Sequence, residues 1–497
     1  MKHKTLIKNA AILTVTSLIL RTVGIFFRIW MSNTIGAEGI GLYQLIFSVY
    51  VLASTFATTG ITTAVTRMVS ELNAPGSAAK KILVRAIMIT LVMALLSLGV
   101  LFFSADYIAR LLLCDERATL SIKILGFSLP FMGISSCLRG YFIAVRNTAS
   151  PSFGQLFEQL IRMVLIVFLV NRYSGLGLAA TSAAVLAGDT AAEAFGCLLL
   201  YILYKFDRRK WGKAPKASIP VTRKLLHIAV PITAGRYIHT VLRTCENLMV
   251  PARLSLFTSA KSHALEQFGR LKGMAMPILF FPASFLTAFS TLMIPEISES
   301  LACGKITRVR TATQKSIGIT VIISTLLGGI FLLCGEDLSE VLYHERETGF
   351  LIKALAPLVP LMYLESVCDG ILKGLDQQGY SFVYGVIDSV SRIVLIWFLV
   401  PSYGMKGFLL IMVYSNLLTS LLNVRRLLKV TETPINLKSW VLLPLFAIAV
   451  ALAAGYFSMR ALESSILRLL AGSGITAAVY ITVMLILGEL SVLNDFY

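Results

Sequence analysis

Stretches of about twenty apolar residues, the length a ~30 Å hydrocarbon core demands of a helix, recur along nearly the whole of this 497-residue chain. No water-soluble domain accommodates that pattern, because apolar runs in soluble proteins rarely exceed about 14 residues. Composition agrees where it matters: 14% of the residues are charged and the mean hydropathy is +0.79, against about 25% charged in soluble domains. The reading is an all-α polytopic membrane protein.

Fourteen candidate spans fall near 9–32, 42–67, 83–104, 121–145, 152–172, 176–204, 225–250, 267–297, 316–334, 351–373, 381–400, 404–424, 440–458 and 466–488. Only NRYSGLG separates span 5 from span 6, and only PSYGMKG separates span 11 from span 12. Pro277 and Pro282 predict a kink or break in span 8. The opening MKHKTLIK and its apolar run imitate a signal peptide, but no small-residue cleavage site follows, so the segment reads as a retained first helix.

The net charge of +19 does not point to nucleic acid, since the basic residues sit in short connections beside the spans. Lys2, Lys4 and Lys8 precede span 1, and eight Lys/Arg against one acid, Asp207, lie between spans 6 and 7. Lys305, Arg308, Arg310 and Lys315 follow span 8, and Arg425, Arg426 and Lys429 follow span 12. All four segments share one side, while the connection between spans 9 and 10 carries five acids and one Arg. The positive-inside rule then predicts both termini in the cytoplasm. Seven scattered cysteines form no CxxC pair, the five histidines form no ligand-spaced cluster, and no P-loop, GxSxG or HExxH motif is present. No enzyme, metal or cofactor is expected from these features.

Residues 124–177 slide onto 354–407 at a constant offset of 230. Pro130 meets Pro360, Ser136 meets Ser366, Gly140 meets Gly370, Arg162 meets Arg392 and Tyr173 meets Tyr403. Six helices separate equivalent points, and an even number preserves orientation, so the halves are parallel repeats that bracket a cleft. The expected division is an N-lobe at 1–204, a basic cytoplasmic linker at 205–224, a C-lobe at 225–424, and spans 13 and 14 with the tail at 425–497.

A charge at mid-bilayer costs at least ~2.5–3.5 kcal/mol, so it needs a partner, water or a function. Arg21 and Arg28 interrupt span 1, and Arg236 and Arg243 interrupt span 7, each pair seven residues apart and therefore on one helix face. The functional reading is a cationic cavity whose guanidinium forks bind a phosphate-like anion. The structural alternative has Arg28 and Arg243 snorkelling to the interface and Arg21 and Arg236 paired with carbonyls or acids. Glu158 with Arg162, and Asp388 with Arg392, are acid–arginine pairs at i, i+4, read as structural ion pairs that fix packing. Arg139 and Asp369 correspond with opposite signs. Asp189 and Glu193 in span 6 stand where span 12 has Thr419 and Asn423, and read either as an ion-coupling site or as partners of the cavity arginines. A Ser/Thr-rich face of span 2, with Thr58, Thr62 and Thr66, suggests close packing or a polar wall.

The segment IGAEGIGLYQ, followed by SSCLRGYFIAVRNTASPSFGQLFEQLIRMVLI, resembles the multidrug/oligosaccharidyl-lipid/polysaccharide transporter superfamily. Within it, the likeness is to the stage V sporulation protein B and polysaccharide biosynthesis family, which is related to the lipid II flippases. The resemblance implies two six-helix lobes in a V, with two further C-terminal helices. It also implies flipping of an undecaprenyl-diphosphate-linked saccharide across the cytoplasmic membrane by alternating access. A peptidoglycan or polysaccharide precursor, for instance for spore cortex, is the implied cargo, with Arg21, Arg28, Arg236 and Arg243 at the family's cavity positions. Implied partners are the lipid-linked oligosaccharide, membrane lipids and cell-wall synthesis enzymes. A drug/cation antiporter on the same scaffold, and a non-transporting or ligase component of cell-wall assembly, are the alternatives.

Overall fold

The computed structural model describes residues 2–58, 60–71, 77–208, 221–460 and 462–488. Residues 209–220 of the expected basic linker and 489–497 of the tail lie outside the described residues. Among the described residues every regular element is a helix, as the apolar runs predict. In order they are α1 (Lys2–Thr58), α2 (Ile61–Ser70), α3 (Ser77–Tyr107), α4 (Ala118–Gly126), α5 (Ser128–Ala144), α6 (Ala149–Tyr173), α7 (Leu178–Arg208) and α8 (Val221–Thr258). There follow α9 (Lys261–Gly269), α10 (Met276–Phe280), α11 (Ala283–Ala302), α12 (Ile306–Tyr343), α13 (Glu347–Leu355), α14 (Val359–Gly374), α15 (Gln378–Thr431), α16 (Leu443–Met459) and α17 (Ser465–Ile486).

Ten stretches among the described residues are long and apolar enough to cross a membrane. Two are far longer than one crossing needs, Ile12–Ser70 with 59 residues and Gln378–Thr431 with 54. Each is folded by a glycine outside the helical region, Gly36 (φ 73°) within α1 and Gly404 (φ 60°) within α15. A side chain at positive φ clashes with its own backbone, so glycine is the residue that makes such a break cheaply. Each long stretch therefore holds two crossings. Adding α8, whose apolar run is cut by Arg236, Arg243 and Glu246, and the series α9–α11 accounts for the fourteen spans. The α9–α11 series is interrupted as its prolines predict: a π-helical turn at Arg270–Ala275 precedes α10, Pro277 lies in the first turn of α10, and Pro282 caps α11. The turn between spans 11 and 12 falls at Gly404, whereas the one between spans 5 and 6 uses Gly177 (φ 95°). The repeat equivalent of Gly177, Gly407, is buried inside a helix instead.

The chain forms two compact units, Met1–Phe27 with Gly39–Ala252, and Arg28–Glu38 with Arg253–Tyr497. The sequence repeat and the compact units thus divide the chain differently. Most of α8 packs with the first unit although the repeat places it at the head of the second half, and the Arg28–Glu38 segment packs with the second.

In the first unit the core gathers Val65, Met68, Ile82, Leu83, Leu138, Phe142, Leu200 and Leu225. Lipid tails are as apolar as these side chains, so contact and hydrogen bonding, rather than escape from water, hold such helices together. The span 2 threonines supply part of that bonding: Thr62 Oγ1 donates to the Ser136 carbonyl at 3.2 Å and Thr66 Oγ1 to that of Gly140 at 3.0 Å, tying α2 to α5. Measured transmembrane ties of this kind average ~0.6 kcal/mol. In the second unit α16 and α17 pack on α12. The Tyr480 hydroxyl donates to the Ile322 carbonyl at 3.1 Å, and Arg468 meets Asp337 at 2.8 Å.

Candidate functional site

Of the four span arginines, Arg21, Arg236 and Arg243 belong to the first unit, where all three are exposed; Arg28 belongs to the second and is half-buried. On α8 a polar seam explains their direction. Thr240 Oγ1 lies 3.4 Å from Thr55 Oγ1, Thr244 Oγ1 donates to the Ser48 carbonyl at 3.2 Å, and Asn247 Nδ2 donates to Ser48 Oγ at 3.0 Å. These contacts pin the 240/244/247 stripe of α8 against the second crossing of α1. At 100° per residue Arg236 and Arg243 lie about 40–60° to one side of that stripe, so both flank the seam on the same side. Glu246, three residues beyond Arg243, is buried.

A second set of charges is buried among α5, α6 and α7. Arg162 on α6 is its centre. Its Nη2 donates to Glu158 Oε1 at 2.7 Å and lies 3.5 Å from Glu193 Oε1, while its Nε forms an ion pair with Asp189 Oδ1 at 3.2 Å. Glu158 is shared, its other oxygen accepting from Arg139 Nη2 at 2.8 Å. The Tyr43 hydroxyl reaches Asp189 Oδ2 at 3.5 Å. The i, i+4 spacing places Glu158 beside Arg162 along one helix, but what brings α7 in is its small residues. A Cβ on Gly196 would lie 3.0 Å from Glu158 Cγ and Oε2, so α7 approaches as closely as it does because that position is glycine.

Three carboxylates against two guanidiniums leave this cluster one negative charge in excess when all are ionised. Glu193 Oε2 is buried without a hydrogen-bond partner. Such a site can stabilise a proton or a small cation, because an uncompensated buried charge is costly and a bound positive charge relieves it. The acids of α7 that the sequence offered as ion-coupling residues and the Glu158–Arg162 pair that it offered as structural are thus one constellation.

The repeat-related place in the second unit is built differently. Asp388 and Arg392 on α15 are 3.7 Å apart. Asp369 on α14 accepts from Lys373 at 2.5 Å. Glu365 lies one turn before Asp369, and Asn423 is buried with its Oδ1 unpartnered. Glu365 was not singled out from the sequence, although a carboxylate in mid-span 10 was the available signal. Arg139, which the repeat matches to Asp369 with opposite sign, is paired with Glu158.

Residues 6–301 match the family described as polysaccharide biosynthesis protein. Over 501 aligned residues the chain is 26% identical to stage V sporulation protein B of Bacillus subtilis (strain 168), covering 98% of this chain and 96% of that protein. It is 25% identical over 431 residues to the lipid II flippase MurJ of the same organism, covering 78% and 76%. Among solved structures it resembles the lipid II flippase MurJ in an inward closed conformation, with a TM-score of 0.74 and 15% identity, covering 95% of this chain and 98% of that one.

Proposed function

The chain belongs to the polysaccharide biosynthesis protein family, within the multidrug/oligosaccharidyl-lipid/polysaccharide superfamily, and on that premise we propose that this multi-pass membrane protein flips an undecaprenyl-diphosphate-linked saccharide across the cytoplasmic membrane by alternating access. The observation that carries the reading is the exposure of Arg21, Arg236 and Arg243 on spanning helices of one unit. Arginine at that depth is costly unless an anion or water compensates it. A diphosphate matches the need, since guanidinium forks bind its oxygens in pairs and stay charged at every physiological pH. Arg28 joins them in the substrate-binding set. The likeness to a sporulation protein and to a lipid II flippase supports a peptidoglycan or polysaccharide precursor as cargo, with spore cortex as one destination and cell-wall synthesis enzymes as partners. Both termini face the cytoplasm in this reading, and the lobes are 1–204 and 225–424, joined by the linker 205–224.

Energy for uphill movement comes from an ion gradient, from consumption of product outside, or from the membrane potential, which acts at ~2.3 kcal/mol per charge per 100 mV. Asp189 and Glu193, within the charge-excess cluster around Arg162, are the ion-coupling residues we propose. A drug/cation antiporter is the second reading; it calls for an acidic rather than a cationic binding surface, against the exposed arginines. The deciding experiment follows labelled lipid II in vesicles containing the purified protein. Protein-dependent translocation is expected. Its absence with folded protein would leave the non-transporting assembly role.

A further inference from the structure

A cavity of about 430 Å³ lies within the second unit, a volume in the range of small-molecule sites. It is set where spans 7, 8, 10, 11 and 12 end on the side that the basic connections assign to the outside, at the depth of lipid head groups. Gly404 shapes it. At φ 60° the chain breaks there rather than at Gly407, the repeat equivalent of the first unit's Gly177 turn, and Tyr403 and Lys406 both line the cavity. A Cβ on Gly404 would lie 2.6 Å from the Phe257 ring, so the break and that ring form one wall. Phe257, Phe350 and Tyr403 are 52%, 57% and 58% exposed, which makes the mouth aromatic. Charges of both signs face the space. Arg270 is held by Glu266 Oε1 at 2.8 Å, by Glu345 Oε2 at 3.3 Å and by Glu347. With His263 neutral, three carboxylates against one guanidinium leave two negative charges in excess. The Glu347 side chain is 70% exposed, so its carboxylate is open to a ligand. Lys406 is exposed and, among the described residues, makes no ion pair.

The repeat shows that the fold does not demand these charges. At the offset of 230 Tyr403 meets Tyr173, but Lys406 meets Leu176. Carried back, the same offset takes Glu347 to Arg117, which pairs with Asp115 at 2.7 Å. An anion alone would be repelled by the carboxylate excess, and a cation alone would leave Lys406 unmatched. A zwitterion meets both. The outer leaflet supplies one at this depth, a phosphate joined to a primary ammonium. Lysine binds phosphate as a point charge, and an ammonium donates N–H bonds to a carboxylate. The exposed rings suit the glycerol and first acyl carbons, as aromatic side chains do at membrane interfaces. We infer that this cavity binds the head group of phosphatidylethanolamine, with its phosphate at Lys406 and its ammonium at Glu347. The primary ammonium separates this lipid from phosphatidylcholine, whose methylated nitrogen has no N–H to donate, and from phosphatidylglycerol, which has no cation. The inference goes beyond the flipping function proposed above and does not depend on it.

The test places photo-crosslinking p-benzoylphenylalanine at Phe350, aromatic for aromatic, and separately at Phe168, which is 66% exposed on α6, in the full-length protein. Each is put in vesicles of phosphatidylethanolamine, phosphatidylcholine and phosphatidylglycerol in equal amounts, with one of the three radiolabelled. Relative to position 168, position 350 is expected to favour phosphatidylethanolamine over either other lipid by about tenfold, a difference of about 1.4 kcal/mol. Glu347→Gln and Lys406→Gln should each erase that preference, and Lys406→Arg should keep it. Both side chains are exposed, so the exchanges leave the fold intact, which the melting temperature checks. Equal capture of phosphatidylethanolamine and phosphatidylcholine at position 350 overturns the inference. So does a preference for phosphatidylglycerol, which would mark a plain anion site, or a preference untouched by the two neutral variants. Labelled lipid II displacing phosphatidylethanolamine from position 350 would assign the cavity to cargo instead, and overturn it as well.

Discussion

The charge cluster around Arg162 and the one around Arg392 occupy equivalent places in the repeat, yet they are different devices. Both keep an acid four residues before the arginine, on one helix face. In the first unit three carboxylates lie within 3.5 Å of Arg162, supplied by two helices, and Arg139 closes the ring. In the second the Asp388–Arg392 contact is 3.7 Å long, uncharged Thr419 and Asn423 replace the acids, and the extra carboxylate enters on α14 as Glu365. The difference teaches that the i, i+4 pair is the repeated scaffold. The side chains facing it from the neighbouring helix decide whether it becomes a tight charged network or a loose one.

The largest expected effect breaks the network at its centre. Arg162→Ala leaves Glu158, Asp189 and Glu193 buried around a vacated cation, and losing one partner of a buried pair costs about 3–5 kcal/mol. Arg392 meets Asp388 at 3.7 Å, longer than any of the Arg162 contacts, so Arg392→Ala should cost less. Melting temperatures of the two purified variants check the order, and equal losses would dissolve the contrast. Next in size is the exchange of charge without loss of shape: Asp189→Asn with Glu193→Gln should leave abundance near wild type but change the ion dependence of flux. Unchanged ion dependence in the double variant would remove both residues from coupling.

The smallest effect belongs to the ion pair outside the spans. Lys224, by its hydrogen bond to Glu71, and then Arg67 hold the Glu71 carboxyl below the usual carboxylate range. A depressed folded-state value means the contribution is present at neutral pH and fades as acid protonates the group. Glu71→Gln should shift the melting temperature little at pH 7 and flatten its fall at low pH, because exposed pairs contribute little. A large drop at pH 7 would show that this end of the molecule is less independent than the buried cluster.

Much of the architecture was legible because hydrocarbon leaves a chain few options. Apolar length set the crossings, Pro277 and Pro282 marked the broken span, and the offset of 230 paired Arg162 with Arg392. The convergence of α7 on Arg162 was not legible, since it depends on interhelical distance set by single small residues such as Gly196. The turn between spans 11 and 12 shows the same limit, with Gly404 making the bend and Gly407 buried in helix. Arg21 and Arg28 read as one pair by spacing, yet the chain between Phe27 and Gly39 packs with the other unit. Glu365 stands four residues before Asp369, but its repeat equivalent is Ser135, so the offset that paired the other charges gave it no counterpart.

The central claim is that the exposed span arginines serve cargo while the buried ones serve structure. The most direct measurement is lipid II flux and melting temperature, taken together, for Arg21→Gln and Arg236→Gln against Arg162→Ala in the same vesicle preparation. The account predicts that the first two lose transport at a melting temperature near wild type, and that Arg162→Ala loses stability first. Normal flux through Arg21→Gln or Arg236→Gln, or a fully stable Arg162→Ala that no longer transports, would contradict it.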